Sequence, residues 1–173
     1  QMPFFENWSI CKTKILNQKS TEKSGKILYE NEEKFLISSI DYNIELIKDY
    51  YPLFWESSIR NNTQSLLKSL KYIQDIEMKN KKGWNALILA CYNGSFEASK
   101  ILLENGANSS TQNHKGTSAL MYALDYYSKS SDSRIFKLLL ENKADTLAKD
   151  YKSKGIKQYC VEKNCSELLD LLD

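Results

Sequence analysis

The chain has 173 residues, enough for one domain with a substantial core or for about four to five short repeats. Its 24 Lys and Arg nearly balance its 22 Asp and Glu, and the net charge of +2 lacks the basic excess typical of nucleic-acid-binding domains. No apolar run approaches the roughly 18 residues that cross a bilayer.

Residues 1–33 are predicted to form an N-terminal extension. Gln1 precedes Met2 and is interpreted as a tag remnant, and no stretch nearby has the apolar length of a signal peptide. A cytoplasmic location is therefore expected, with a periplasmic or secreted one left open if a signal peptide was removed. Three apolar residues of the extension can either cap the first repeat or mediate self-association: Phe4, Phe5 and Trp8. Capping is the preferred interpretation, and a monomer is expected.

From residue 34 onward, apolar residues recur at three- and four-residue steps, the period of amphipathic helices. A first short pair of helices is predicted over 34–48. In the next unit, 49–80, Asn61 stands 33 residues before Gly94 and is expected to take the same place at the turn between two helices.

The segment 83–110 has the clearest pattern in the chain. It predicts a short helix, a turn, a second helix and a stop at Gly106, where glycine accepts left-handed backbone. A second copy follows 33 residues later, with Gly116 in the place of Gly83, so the two units span 81–113 and 114–150. An internal period of this length indicates a stacked array rather than one globular core.

The second copy departs from the first in two places. About six residues, 127–132, are predicted as an insertion between its helices, and they make the next period 39 because Gly155 is taken as the next repeat glycine. Lys143 replaces the glycine that ends the outer helix, so a looser end is expected, with Asn142 as the candidate for left-handed backbone. The last unit, 151–173, is short and polar at intervals and is predicted to be a C-terminal cap.

Residues 81–148 resemble ankyrin repeats. The resemblance implies an all-α fold, an ankyrin-repeat solenoid of stacked helix-turn-helix units over 34–173. The Thr-Pro-Leu-His signature of that family is replaced by Asn-Ala-Leu-Ile at 85–88 and by Ser-Ala-Leu-Met at 118–121. Ile88 and Met121 cannot make the hydrogen bonds of the family's histidine. A less stable array than a consensus one is therefore expected, with unfolding no higher than about 70 °C.

The resemblance also implies a protein partner, bound through the inner-helix face and the hairpin tips, and no cofactor. Carried onto this sequence, those places hold aromatic, polar and charged residues: Tyr51, Arg60, Lys81, Lys82, Trp84, Tyr92, Asn93, His114, Lys115, Thr117, Asp125 and Tyr126. Aromatic residues and Arg are enriched at the centres of protein interfaces. The lysines of 79–82 are interpreted either as a solvated tip or as a contact to an acidic partner.

The residues give little support to catalysis or metal binding. The single histidine, His114, falls on a predicted hairpin tip, and no glycine-rich phosphate loop is present. None of the four cysteines lies in the close pairs of a zinc site. They are interpreted as free thiols, with a disulfide between Cys160 and Cys165 as the alternative. The sequence therefore predicts neither an enzyme nor a metalloprotein.

The favoured function is a small adaptor that binds a protein, with neither nucleic acid nor membrane as its partner. The richness in Lys, Asn, Ile and Tyr suggests an AT-rich genome, and on that association a bacterium. Small bacterial proteins that the chain resembles include immunity proteins, which neutralise a cognate toxin. A host-directed effector and a self-associating structural protein are the alternatives.

Overall fold

The structure is a computed structural model, and it describes residues 50–172. Within them the backbone forms seven α-helices and a closing 3₁₀ helix over Ser166–Leu171. The α-helices, numbered α1 to α7 in chain order, span Tyr51–Ile59, Thr63–Leu70, Ala86–Asn93, Phe96–Glu104, Ala119–Ser130, Arg134–Glu141 and Ile156–Glu162. The extension at 1–33 and the helix pair predicted over 34–48 lie outside the described residues.

The helices form two layers in the compact unit that begins at Leu53. The inner helices α3, α5 and α7 pack side by side, as do the outer helices α2, α4 and α6. Equivalent positions of successive inner helices, Phe54, Leu87 and Leu120, are all buried, so one apolar core runs through the stack. Between 50 and 172 the only β pairing is two single-residue bridges. The prediction of an all-α solenoid of stacked helix pairs is confirmed.

The inner helices end where the backbone turns left-handed. Gly94 has a φ of 75° after α3, and Asn61 has a φ of 55° after α1. Asn is the residue after Gly that adopts this conformation most readily. The prediction that Asn61 takes the place of Gly94 is therefore confirmed.

Four of the six residues predicted as an insertion between two helices, 127–130, instead lie within a helix. Helix α5 has 12 residues where α3 has 8, so four extra residues add about one helical turn. Tyr127, the first residue of the predicted insertion, is 9% exposed and continues the buried stripe of α5. Burial of this side chain favours helix over loop at this position.

The predicted period of 39 is also wrong. Ser153, with a φ of 59°, takes the left-handed place of Gly116, whereas Gly155 has a φ of −97° and is the N-cap of α7. The residue that corresponds to Asn113 is Asp150, which makes the period 37. The four extra residues of α5 account for the difference from 33.

The outer helix of the second copy ends differently from the prediction. Lys143 itself is left-handed, with a φ of 61°, whereas Asn142 has a φ of −89°. The side-chain amide of Asn142 donates to the carbonyl of Leu138 at 2.8 Å, and the N–H of Ala144 bonds the carbonyl of Leu139 at 3.0 Å. These bonds satisfy the carbonyls at the end of α6, so the end is closed despite the missing glycine.

A four-residue tip precedes each of the last three inner helices, at 80–83, 113–116 and 150–153. The first residue of the first tip, Asn80, accepts the backbone N–H groups of Lys82 at 2.9 Å and Trp84 at 3.1 Å. Asn113 does the same for Lys115 and Thr117 at 2.8 and 3.0 Å. In the third tip, Asp150 accepts from the N–H groups of Lys152 and Lys154 at 2.9 and 3.0 Å. The three tips therefore share one turn geometry.

The tips pack directly on one another because their fourth residues are small. A Cβ on Gly83 would lie 2.5 Å from the backbone nitrogen of His114, and one on Gly116 would lie 3.1 Å from the carbonyl oxygen of Lys149. Both glycines also have a positive φ, 76° and 72°. Glycine is thus required twice over, by conformation and by the close approach of the next tip.

A buried amide joins neighbouring repeats through the helix cap of α3. The Asn85 side chain is fully buried, and its Oδ1 accepts the N–H of Ile88 at 2.9 Å. Its Nδ2 donates to Glu77 Oε2 at 2.8 Å and to Thr111 Oγ1 at 3.0 Å. Glu77 also accepts the N–H of Asn108 at 2.8 Å through its other oxygen. Asn85 therefore supplies hydrogen bonds between repeats at the position where the family has threonine.

We predict that Gly83→Ala is much more destabilising than Gly106→Ala. Both glycines have a positive φ, but a Cβ on Gly106 meets nothing within 4 Å. Gly106→Ala should therefore cost only the left-handed conformation of alanine, about 1–2 kcal/mol. Gly83→Ala should cost roughly 1–3 kcal/mol more, because the backbone of the next tip must move. Urea unfolding measures both, and equal losses would contradict the close packing of the tips.

We predict that Asn85→Ser separates the two tasks of this amide. Serine caps the equivalent helix, since Ser118 accepts the N–H of Met121 at 3.3 Å. Asn85→Ser should thus keep the cap but leave Glu77 and Thr111 without their donor, at a cost of about 1–3 kcal/mol. Asn85→Ala should lose about 1 kcal/mol more. Thermal and urea unfolding would show the two steps, and an Asn85→Ser variant as stable as the parent would rule out the bridging role.

Candidate functional site

An aromatic cluster lies on the inner-helix side, and it consists of Trp84, Tyr92 and Tyr122. The ring centroids of Trp84 and Tyr92 are 5.2 Å apart, those of Trp84 and Tyr122 are 4.7 Å apart, and those of the two tyrosines are 5.8 Å apart. Each ring is half-buried. The cluster thus combines residues of two repeats into one rigid apolar surface that is still open to contact.

Tyr122 is a member of the cluster that the sequence analysis missed. The Asn113 side chain, which also holds the second tip, donates to the Tyr122 hydroxyl at 2.8 Å. Partial burial raises the pKa of Tyr122, so the phenol keeps its proton at neutral pH. Its spacing in the sequence could have identified it. Tyr122 stands nine residues after the first residue of its tip, as Tyr159 does after Asp150.

Charged groups border the aromatic cluster at Asp125. Lys129 donates to one oxygen of this carboxylate at 2.6 Å, and Lys163 of the C-terminal unit donates to the other at 2.8 Å. The Lys129 ammonium also stands 5.4 Å from the centre of the Tyr92 ring. Partial burial acts to raise the pKa of Asp125, but the two lysines outweigh it and hold that pKa below its usual value. Asp125 is therefore ionised at neutral pH.

The C-terminal unit repeats this arrangement with charged residues. Tyr159 donates to Asp150 at 2.5 Å, and this bond, helped by partial burial, raises the pKa of Tyr159 to about 12. Lys154 pairs with Glu162 at 2.5 Å and stands 5.7 Å from the centre of the Tyr159 ring. Lys154 and Glu162 stand four and twelve residues after the first residue of their tip, as Trp84 and Tyr92 do in the first copy. The inner side thus changes from aromatic to charged along the stack.

Not all predicted contact residues belong to this surface. Tyr126 packs over Gly94, where an added Cβ would lie 2.0 Å from the ring, so it fills a space between repeats. Asn93 is exposed and donates its amide to the carbonyl of Leu89 at 2.8 Å. Arg60, which follows the last residue of α1, bonds the carboxylate of Glu56 within that helix. Of the predicted residues, Trp84 and Tyr92 are in ring contact, and Asp125 is connected to Tyr92 through Lys129.

The remaining predicted residues lie on the tips, beside them or ahead of the compact unit. Lys81, Lys82, His114 and Lys115 are exposed on the first two tips, and Thr117 is half-buried beside the second. Tyr51 begins α1, ahead of the compact unit that starts at Leu53.

The described residues contain no group of three or more His, Cys, Asp or Glu side chains placed to hold a metal ion. Cys91, Cys160 and Cys165 are buried free thiols, so the alternative of a Cys160–Cys165 disulfide does not hold. Burial raises the pKa of Cys91 to about 12, which keeps this thiol protonated. Among residues 50–172, no helix is long and apolar enough to cross a bilayer.

Comparison with known proteins identifies the class of repeat. A family model described as ankyrin repeats in three copies matches residues 53–150. The chain belongs to the ankyrin-repeat family, whose members are generally non-catalytic and whose repeats are protein–protein interaction modules. The predictions of family, fold and protein-binding class are confirmed at this level.

One curated relative adds to this assignment. The chain is 31% identical over 103 residues to ankyrin repeat protein L371 of Acanthamoeba polyphaga mimivirus. The match covers 60% of this chain and 13% of the relative, so the chain spans a small part of that protein's length. This relative is viral, and the bacterial origin suggested by composition stays a prediction.

We predict that Asp125→Asn removes an acid-sensitive part of the stability. The folded-state pKa of Asp125 lies below its unfolded value of about 3.9, so its contribution is full above about pH 5 and is lost as the pH falls through the folded-state pKa. The parent should exceed the variant by at most about 1 kcal/mol at pH 7 and by less near pH 3. Urea unfolding at the two pH values provides the comparison.

A matched charge removal, Glu104→Gln, controls for the change in net charge. Glu104 is exposed in the last turn of α4, and Lys129 and Lys163 pair with Asp125 rather than with it. The Glu104→Gln variant should have a free energy of unfolding within about 0.5 kcal/mol of the parent at pH 7. A gap between parent and Asp125→Asn that widens as the pH falls would contradict the lysine pairing.

Proposed function

We propose that the chain is a non-catalytic adaptor that binds a partner protein through the inner-helix face and the hairpin tips. The observation that carries the proposal is the aromatic cluster of Trp84, Tyr92 and Tyr122. Large aromatic rings on a folded surface bury much apolar area at a low cost in conformational entropy, which suits the centre of an interface.

The surroundings of the cluster support an interface with a polar rim. Asp125, Lys129 and Lys163 form a bonded group at its edge, and the ammonium of Lys129 also faces the Tyr92 ring. Interfaces commonly place an apolar centre inside such a rim. The rigid packing of the three rings lowers the ordering cost on binding, because the rings already hold one another in place.

The finer role that we propose is inhibition of a toxin by a dedicated immunity protein, with a host-directed effector as the alternative. Both roles use the same surface and differ in the bound protein. An inhibitor should bind its toxin at about nanomolar affinity or tighter and abolish the toxin's activity at equimolar amounts. An effector should instead capture a protein of the host cell and leave the activity of a toxin encoded beside it unchanged.

We predict that Trp84→Ala and Tyr92→Ala each weaken partner binding by about 30-fold, the loss expected for a hot spot of about 2 kcal/mol. The partner is captured on the immobilised full chain, identified by mass spectrometry, purified and titrated by calorimetry against each variant. Circular dichroism must show that each variant keeps the helix content of the parent.

Phe96→Ala is the matched aromatic control. Phe96 is half-buried at the start of the outer helix α4, where Arg134 stands 4.9 Å from its ring centre. The Phe96→Ala variant should bind the partner with an affinity within about twofold of the parent. Full binding by folded Trp84→Ala and Tyr92→Ala, together with loss in Phe96→Ala, would move the interface to the outer helices and overturn the proposal.

A further inference from the structure

The three tips carry a lysine at the same place. Lys82, Lys115 and Lys152 are each the third residue of a tip, and the backbone N–H of each is held by the first residue of that tip. We propose that these three lysines, called the lysine row below, bind an acidic segment of the partner protein. This inference rests on the proposed protein-binding function and names the chemistry of the partner.

The lysine row is exposed and forms no ion pair within the part of the chain that the structure describes. All three side chains are exposed, and between residues 50 and 172 none of them pairs with a carboxylate. The carboxylates closest in sequence are used internally: Glu77 bonds Asn85 and the backbone of Asn108. Asp150 bonds Tyr159 and two backbone N–H groups of its own tip, and it attracts Lys152 through space without forming an ion pair with it.

The tips form one continuous edge. Lys79, next to the first tip, donates to the carbonyl of Gln112, next to the second, at 2.7 Å. The N–H of Tyr151 in the third tip bonds the carbonyl of Lys115 in the second at 2.9 Å. Exposed lysines at 81 and 149 lie on or beside the same edge. A partner segment that follows the edge therefore meets positive charge at every repeat.

One tyrosine gives part of the lysine row a fixed position. Tyr151 is 65% exposed, and the ammonium groups of Lys115 and Lys152 stand 5.9 and 5.5 Å from the centre of its ring. Attraction between each cation and the ring face restrains both side chains at little cost in solvation. Restrained ammonium groups lose less entropy when they meet a carboxylate.

The spacing of the row suits an extended chain. Packed helices lie about 8–10 Å apart, so successive tips follow at about that distance. A segment in the extended polyproline II conformation advances about 3.1 Å per residue with three residues per turn, so every third side chain lies on one side and meets the next tip. We therefore expect Glu or Asp at every third position of the bound segment.

The surroundings of the row favour a protein over a nucleic acid. The inner side next to the tips holds the carboxylates of Asp125 and Glu162. Lysines pair with both carboxylates, and the aromatic cluster on the same side suits a protein segment that alternates acidic residues with apolar ones. The net charge of +2 points the same way.

The experiment uses the full chain and a labelled twelve-residue peptide with Glu at every third position, Phe at one other position and Ser elsewhere. Fluorescence anisotropy should show binding that weakens at least tenfold when salt is raised from about 0.1 M to about 1 M, because screening shortens the reach of the charges. The same peptide with Gln in place of Glu should bind about 10-fold more weakly.

The variant that tests the row is Lys82→Gln/Lys115→Gln/Lys152→Gln. It should lose about 10-fold in affinity for the Glu peptide. The control, Lys71→Gln/Lys100→Gln/Lys137→Gln, removes the same charge from exposed positions on the outer helices and should bind like the parent. Equal binding by the tip variant and the parent would overturn the inference, as would tighter binding of a twelve-nucleotide oligouridine than of the Glu peptide.

Failure of this inference is distinguishable from failure of the proposed function. If Trp84→Ala loses the natural partner while the tip variant keeps the Glu peptide, the aromatic cluster stands and the lysine row is refuted. If Trp84→Ala keeps the natural partner while the tip variant loses both partner and peptide, the lysine row stands and the aromatic centre is refuted.

Discussion

Each tip depends on one local interaction, the capture of two backbone N–H groups by the first residue of the tip. The bonds hold the backbone of the tip in one turn, which water as the alternative partner of these N–H groups would not do. The same turn places the N-cap of the next inner helix five residues later, at Asn85, Ser118 and Gly155. It therefore sets where each inner helix begins and which of its residues face the site.

This constraint explains which parts of the fold could be predicted from the sequence. The period of 33 was correct because Gly83 and Gly116 both follow an Asn at the start of their tips. The next register was wrong because glycine was matched to glycine, although an acid at Asp150 holds the turn equally well and Ser153 adopts the positive φ. Alignment of the repeats on the first residue of each tip gives a period of 37 residues. The preference of a single residue type was a weaker guide than the hydrogen bonds of the turn.

The site was predicted in part, for a related reason. Trp84, Tyr92 and Asp125 lie at places that a correct register fixes, whereas Tyr122 and Tyr126 are one turn apart on α5 and their directions cannot be read from spacing alone. Tyr126 faces the space left by Gly94, and Tyr122 faces the tip. Lys129 and Lys163 were missed because they come from the extra turn of α5 and from the C-terminal unit, the two places where the predicted register failed.

The tips also show how one short segment separates stability from recognition. The first residue holds the turn through its side chain and the fourth allows close packing, whereas the third contributes only backbone groups to the turn and to the contact between tips. The third side chain is therefore free to vary without loss of the turn, and here it is lysine in three successive tips. A whole-chain charge of +2 conceals this row of lysines, beside which Glu77 is half-buried and Asp150 is buried. Net charge is a sum over the whole chain, so a balanced composition does not imply a balanced charge along one edge of the surface.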